Sequence, residues 1–260
     1  MNIELSEQAF HLAWQHFRLG TKPLLLNVLP EGITEQERRD TEQRAEQELR
    51  QLGFGDRDAE DDISGVFFPL NHYRNSFDLV YRYLTEEGEH RRTALAAVGP
   101  ASAALVVRED GVVRMRQLRS DDAPHRAVVE VLSGLSPGPG KAVSVPSEQL
   151  DAAAAEAGDS DRAMREALLR RGVRRDDASA LVDMAGGERV GYAQFGAAQL
   201  DQRGNRSRSG MVSNCVATAK GWYLMEETRR SGQAWTTFAP IDHSRMVERV
   251  RELTKTIVPD

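Results

Sequence analysis

The sequence predicts an α+β body of two pseudo-symmetric halves, each running from a short strand through helices into four strands and a closing helix. Two observations carry this expectation. A strand-like stretch, Phe77 to Leu84, is followed by turns at Gly88, Gly99-Pro100 and Asp110-Gly111, and then by Asp121-Asp122 opening a helix-like run. The same order returns from Val190 to Leu253, with turns at Gly204, Lys220-Gly221 and Ser231-Gly232 and with Asp242 opening the last helix. The spacing repeats too: ten positions separate the third turn glycine from the acidic residue in both copies. The second interval agrees to within one position, and only the first differs widely, because the second copy carries a longer loop before its second turn.

The elements follow in order. Ser6 precedes a helical pattern that places Phe10, Ala13, Trp14 and Phe17 on one face and stops at Leu19-Gly20. The apolar run from Pro23 to Val28 reads as the buried short strand of the first half. Thr34-Glu-Gln-Glu37 is a capping box, and the charged helix it opens runs through Arg50. The acidic run Asp56 to Asp62 reads as a solvated loop leading into Ile63–Phe68, and Pro69 is expected to end any helix there. In the first repeat, Phe77, Leu79, Tyr81 and Tyr83 alternate with Asp78, Val80, Arg82 and Leu84, the period of a sheet strand.

Residues 134–140, rich in Gly, Pro and Ser, read as a linker between halves at about 1–133 and 141–260 of a single domain. Ala142–Val145 then reads as the short strand of the second half, and Pro146-Ser147 starts an alanine-rich helix ending at Gly158. Two further helices carry Met164, Leu168 and Leu169, and then Ala178, Leu181, Val182 and Ala185, and they stop at Gly172 and Gly186-Gly187.

The totals exclude several functions. A chain of 260 residues, 40% hydrophobic and 28% charged, can bury a sizeable core. Its net charge of −6 argues against a general nucleic-acid binder, because phosphate affinity needs a cationic surface. Lys22, Lys141, Lys220 and Lys255 are the only lysines among 34 basic residues, a bias that reads as high-GC coding. Cys215 is the single cysteine, so no intrachain disulfide and no paired-cysteine metal or redox motif is expected. Glu4 and Glu7 stand where a signal peptide would be basic, and no apolar stretch reaches membrane-spanning length. A soluble, cytoplasmic protein is expected.

Motifs that resemble catalytic or ligand sites lack their structural context. Gly134-Leu-Ser136-Pro-Gly138 has the letters of a nucleophile elbow, but Pro137 follows the serine and a strand follows the loop. Gly138-Pro-Gly140-Lys141 lacks the first glycine and the hydroxyl of a phosphate loop. An EF-hand counted from Asp56 would need Gly at position 61 and Glu at position 67, where the chain has Asp61 and Phe67. The six histidines show no zinc-ligand spacing. No cofactor and no catalytic or metal-binding residue is therefore assigned, and the chain is not read as an enzyme. The basic stretch Arg203-Gly-Asn-Arg-Ser-Arg208 is an interaction-loop candidate, and Trp222, Tyr223 and Trp235 are expected to pack in the sheet.

The chain resembles the EspG family over nearly its whole length. In the second half the similarity lies in Gly191-Tyr-Ala-Gln-Phe-Gly196, Arg203-Gly204, Trp222-Tyr223-Leu224 and Trp235-Thr-Thr-Phe-Ala-Pro240. In the first it lies in Phe17-Arg-Leu-Gly20, Pro23-Leu-Leu-Leu26, Asn75-Ser-Phe-Asp-Leu79 and Val107-Arg-Glu-Asp-Gly111. Pro137-Gly-Pro-Gly140 and Val143-Ser-Val-Pro146 sit where the family's mid-chain linker and strand lie.

The resemblance implies a central antiparallel sheet flanked by helical bundles, and a cytosolic chaperone of ESX (type VII) secretion. Such a protein binds the helical tip of a PE–PPE heterodimer, keeps it soluble and presents it to the ESX machinery. The implied contact surface is the sheet face with its adjoining strand loops and the C-terminal helices. On this chain that maps to Glu86, Glu87, Glu89, His90 and Arg92 around the first inter-strand loop, to Gln194 and Phe195, and to Arg203, Arg206 and Arg208. Self-association into a homodimer is compatible with this reading. The alternative is a small-ligand-binding protein or enzyme with its site between the two halves.

Overall fold

Two long strands, β2 (Asn75–Thr85) and β7 (Arg189–Leu200), pair antiparallel from Asn75↔Gln199 to Tyr83↔Gly191 at the centre of the molecule. The structure is a computed structural model that describes residues 1–27, 34–119, 121–158, 160–186, 188–201 and 204–257. From the central pair each half extends outward by antiparallel neighbours. The first half adds β3 (Gly88–Val98), β4 (Ala103–Glu109) and β5 (Val112–Leu118), closed at the edge by β1 (Asn2–Ser6). The second adds β9 (Ser213–Thr218), β10 (Gly221–Arg230) and β11 (Gln233–Pro240), closed by β6 (Val143–Pro146). The short β8 (Arg206–Arg208) pairs with β7 in the longer loop of the second copy, which completes eleven strands among the described residues. The repeat read from the sequence is thus a two-fold arrangement of one sheet.

Strand alternation assigns the cores. Leu95, Ala97, Val106 and Met115 face α1 (Glu7–His16), α2 (Glu35–Gln51) and α3 (Arg57–Asn71). On the same side of the sheet, Val216, Tyr223 and Phe238 face α5 (Ser147–Ala157), α6 (Asp161–Arg170) and α7 (Arg175–Ala185). The intervening positions, Ala94, Ala96, Phe195, Cys215 and Trp222, face the other side, under α4 (Pro124–Val129) and α8 (His243–Glu252). One face therefore carries a three-helix bundle at each end and an uncovered centre.

Local chemistry sets the helix ends. The Ser6 hydroxyl accepts from the Ala9 amide, and Thr34 and Glu37 form the expected capping box. Asp242 accepts from the Arg245 amide at 2.8 Å, and this bond holds its carboxyl below the usual carboxylate range. Trp222 and Tyr223 are buried in the sheet as expected.

Four expectations are corrected. The short strand of the first half is Asn2–Ser6, whereas Pro23 leads into a single 3-10 turn at Leu24–Leu26, with Leu26 buried and Leu24 exposed. Val28, the end of that predicted strand, lies outside the described residues. The acidic run is not a loop: Asp56 caps α3 by accepting from the Asp58 and Ala59 amides, and Asp58–Asp62 fill the first turns. Nor does Pro69 end that helix. It lacks the N–H that would reach the Gly65 carbonyl, but the Ser102 hydroxyl donates to that carbonyl at 2.9 Å. Burial of Ile63, Val66, Phe67 and Leu70 then carries the helix on to Asn71. Last, Asp121-Asp122 does not open α4, which starts at Pro124. Asp122 instead accepts from the Arg119 amide at 3.0 Å and closes the preceding turn.

Residues 134–140 cross the sheet beside β10. Pro137 bridges to Trp222, the Gly138 amide donates to the Trp222 carbonyl at 3.3 Å, and the Tyr223 hydroxyl donates to the Pro139 carbonyl at 3.1 Å. A Cβ on Gly138 would stand 2.2 Å from the Tyr223 ring. This glycine thus serves close packing, with no helix start nearby to hold phosphate.

Candidate partner-binding face

The uncovered centre of the sheet is built by β2, β3, β7 and β9. Cross-strand partners point the same way, so this face carries Arg91, Arg82, Tyr192 and Val216 in one row. The next row carries Thr93, Val80, Gln194 and Asn214. The Tyr192 hydroxyl and the Gln194 amide both donate to Asn214 Oδ1, at 2.7 and 3.0 Å, which fixes the polar middle of the surface.

Toward the second bundle the face deepens. A cavity of about 300 Å³ lies between α5–α7 and the sheet, walled by Leu150, Met164 and Val182 from the helices and by Val216, Met225 and Phe238 from the strands. A second hollow of about 400 Å³ lies over Arg82, Leu84 and Glu89. Arg189, Tyr192 and Val216 line both, so the two form one groove from the helical bundle to the end of the β2–β3 hairpin. Leu84 and Tyr192 are 57% and 37% exposed, enough to present apolar area to a partner.

The expected contact residues divide by strand parity. Glu86 and Glu87 form the tight β2–β3 turn, where the Thr85 hydroxyl accepts from the Glu87 amide, and Glu89 lines the groove. His90 and Arg92 point to the opposite face. His90 stacks on Tyr83 and lies 3.2 Å from Asp110. Arg92 donates to Glu109 at 2.7 Å and to the Val131 carbonyl at 2.9 Å, while the Tyr83 hydroxyl donates to the same carboxylate at 2.5 Å. That hydrogen bond raises the Tyr83 phenol above its usual range. Together these contacts hold the hairpin from behind.

On β7, Gln194 lies on the groove face, whereas Phe195 is fully buried in the core under the sheet. Arg206 is exposed and sits over the Tyr73 ring at 6.0 Å. Arg208 donates to both oxygens of the buried Asp78 at 2.9 Å, and Gly196 leaves the space for it: a Cβ there would lie 2.5 Å from Arg208 Nη2. The pair therefore locks the β7–β9 excursion onto β2. Arg203 lies outside the described residues.

Sequence reasoning passed over Arg82, Leu84 and Tyr192. The signal for Arg82 and Leu84 was the Asp78/Val80/Arg82/Leu84 side of the β2 alternation, which leads straight onto the open face, whereas Tyr192 joins them only through the pairing of β7 with β2.

Chemistry at other polar groups is quiet. Cys215 is buried on β9, between β7 and β10, and burial pushes its thiol up, away from the reactive thiolate. Among the described residues no group of three or more His, Cys, Asp or Glu is placed to hold a metal ion, and no helix is long and apolar enough to cross a membrane.

Comparison with known proteins agrees with this architecture. A solved structure of the type VII secretion system chaperone EspG5 from Mycobacterium tuberculosis, in complex with a PE25–PPE41 dimer, superposes with a TM-score of 0.70 at 15% identity. The match covers 99% of this chain and 97% of the other. A putative adenylyl cyclase from Hippeastrum reaches a TM-score of only 0.12, which carries no structural argument. No curated protein sequence matches the chain. The model of the EspG family matches residues 6–252, and the chain belongs to the EspG family.

Proposed function

We propose that the protein is a cytosolic secretion chaperone that binds the helical tip of a PE–PPE-type heterodimer and delivers it to an ESX type VII secretion system. The carrying observation is the uncovered centre of the sheet: an apolar groove, open to solvent, rimmed by charged loops and set between two rigid bundles. EspG5, which shares this fold, was solved with a PE25–PPE41 dimer. The chain acts as a single domain of two pseudo-repeat halves.

The groove suits a helical tip. Its apolar wall supplies affinity as it leaves water, at ~25 cal/mol per Å² before ordering costs. Glu86, Glu87, Glu89, Gln194 and Arg206 stand at the contact. His90, Arg92 and Phe195 hold those positions from the opposite side of the sheet, and Arg208, on the groove's own face, pins the loop to Asp78. Covering an aggregation-prone tip needs no chemistry, so the surface works by shape and charge.

Co-expression with PE–PPE-like pairs of the same genome, followed by affinity purification and size-exclusion chromatography with light scattering, tests this reading. A stable 1:1:1 complex is expected. Failure to form a complex with any such pair, beside a thermal shift of several degrees with a small metabolite, would favour a ligand-binding protein instead.

A further inference from the structure

The groove holds a cationic cluster that finds no carboxylate partner among the described residues. Arg82 and Arg91 are direct cross-strand neighbours on β2 and β3, both exposed, and like charges placed opposite one another destabilise a sheet. Arg189 stands on the same groove beside Tyr192 and is also exposed. Among the described residues, none of the three has a carboxylate within 4.0 Å. What sets the three apart is that they crowd one face of the sheet, two of them directly opposite one another. The chain has 40 acidic residues against 34 basic ones, and Arg92, Arg108, Arg208 and Arg249 each find a carboxylate. Glu89 lies on the same face, but toward the hairpin tip with Glu86 and Glu87. The rim is thus ordered: acidic at the tip, cationic over the middle, apolar toward the helices.

We infer that Arg82, Arg91 and Arg189 select a partner helix that carries carboxylates beside its apolar ridge. The ridge seats on Leu84, Tyr192 and Val216 and reaches the cavity beneath Met164, and its carboxylates neutralise the arginines as water leaves. Desolvation strengthens each pair, and the relief of Arg82–Arg91 repulsion adds to binding in the complex alone. This inference rests on the chaperone reading for the partner's identity, while the charge of that partner follows from the groove.

The test uses the full-length chain and a PE–PPE-like pair that co-purifies with it, with affinity measured at 50 and 300 mM salt. Arg82→Glu/Arg91→Glu is expected to weaken binding by about thirtyfold or more, and Arg189→Glu by about tenfold. Affinity of the unaltered chain should fall as salt rises, and the double variant should lose most of that dependence. Exchanging a tip carboxylate of the PPE-like subunit for lysine should restore binding to the double variant. Arg82→Gln/Arg91→Gln, which removes charge without reversing it, covers the case in which reversal disturbs folding; its expected loss is smaller but in the same direction.

Binding within twofold of the unaltered chain, with the same salt dependence, would overturn the inference and leave the chaperone reading standing. Absence of any complex with the unaltered chain would remove both. A dimer of this chain alone that the charge reversal dissolves would assign the groove to a second copy and likewise overturn it.

Discussion

The two helical bundles occupy equivalent places on one face of the sheet yet are filled by different side chains. The first is aromatic: Phe10 stacks on Phe67 with ring centres 5.6 Å apart, and Trp14, Phe17 and Phe54 complete the cluster. The helices α5–α7 of the second contain no aromatic residue and pack through Ala153, Ala167, Leu168, Ala178 and Leu181. Large rings fill the space between helix and strand, whereas alanine and methionine leave the 300 Å³ cavity that opens onto the sheet. Topology repeats, but side-chain volume does not, so a symmetric frame acquires one binding side. The lesson is that duplication can supply the rigid scaffold while a few residue sizes assign the work.

The largest expected effect breaks the first bundle. Phe67→Ala removes a fully buried ring and should lower stability by ~3–5 kcal/mol, read as a fall in the denaturation midpoint. Filling the second bundle's cavity with Ala154→Trp, on the exposed side of α5, should instead leave the midpoint within a few degrees. That variant should abolish capture of the PE–PPE-like pair. If both variants lost stability equally, the comparison between the bundles would fail.

Next in size is the lock between the excursion and β2. Arg208→Ala leaves Asp78 buried without its partner. Because Arg208 is itself 45% exposed, the cost should be about 2 kcal/mol, below the range for fully buried pairs. Asp78→Asn in the same chain should recover part of it. A double-mutant cycle measures the coupling.

Ser102→Ala tests why α3 passes through a proline. It deprives the Gly65 carbonyl of its donor and should cost ~1–2 kcal/mol. Faster amide exchange in the last turn of α3 should accompany the loss.

The smallest effect concerns pH. Burial lowers Lys22 from 10.5 to about 8, with its ammonium against His11 and over the Phe10 ring. The folded state releases this proton before the unfolded state does, so the penalty is complete below pH 8. Stability from this group rises as pH increases from 8 to 10.5. Lys22→Met should flatten that rise in urea midpoints measured across the window, and an unchanged slope would assign it to other groups.

Much of this fold was legible because turns and caps are local. Glycines with positive φ at 88, 111, 221 and 232, and the caps at Ser6, Thr34 and Asp242, lie where the residue pattern placed them. What escaped depended on distant contacts. Pro69 was misread because its remedy, Ser102, is 37 residues from Gly65, the carbonyl it serves. Asn2–Ser6 was missed because a five-residue edge strand is defined by its pairing with Arg116–Val112 more than by its own pattern.

The binding face was half legible. Alternation along β2 was plain, but the candidate residues were gathered by nearness in sequence, so Glu89 was grouped with His90 and Gln194 with Phe195 across the two faces. Arg82 and Tyr192, far apart in the chain, meet only once β2 and β7 pair.

Hydrogen exchange of the chain alone and in its co-purified complex tests the central claim most directly. The account predicts new protection in the β2–β3 hairpin, in β7 and in α5–α7, with α1–α3 unchanged. Protection confined to the first bundle would contradict it.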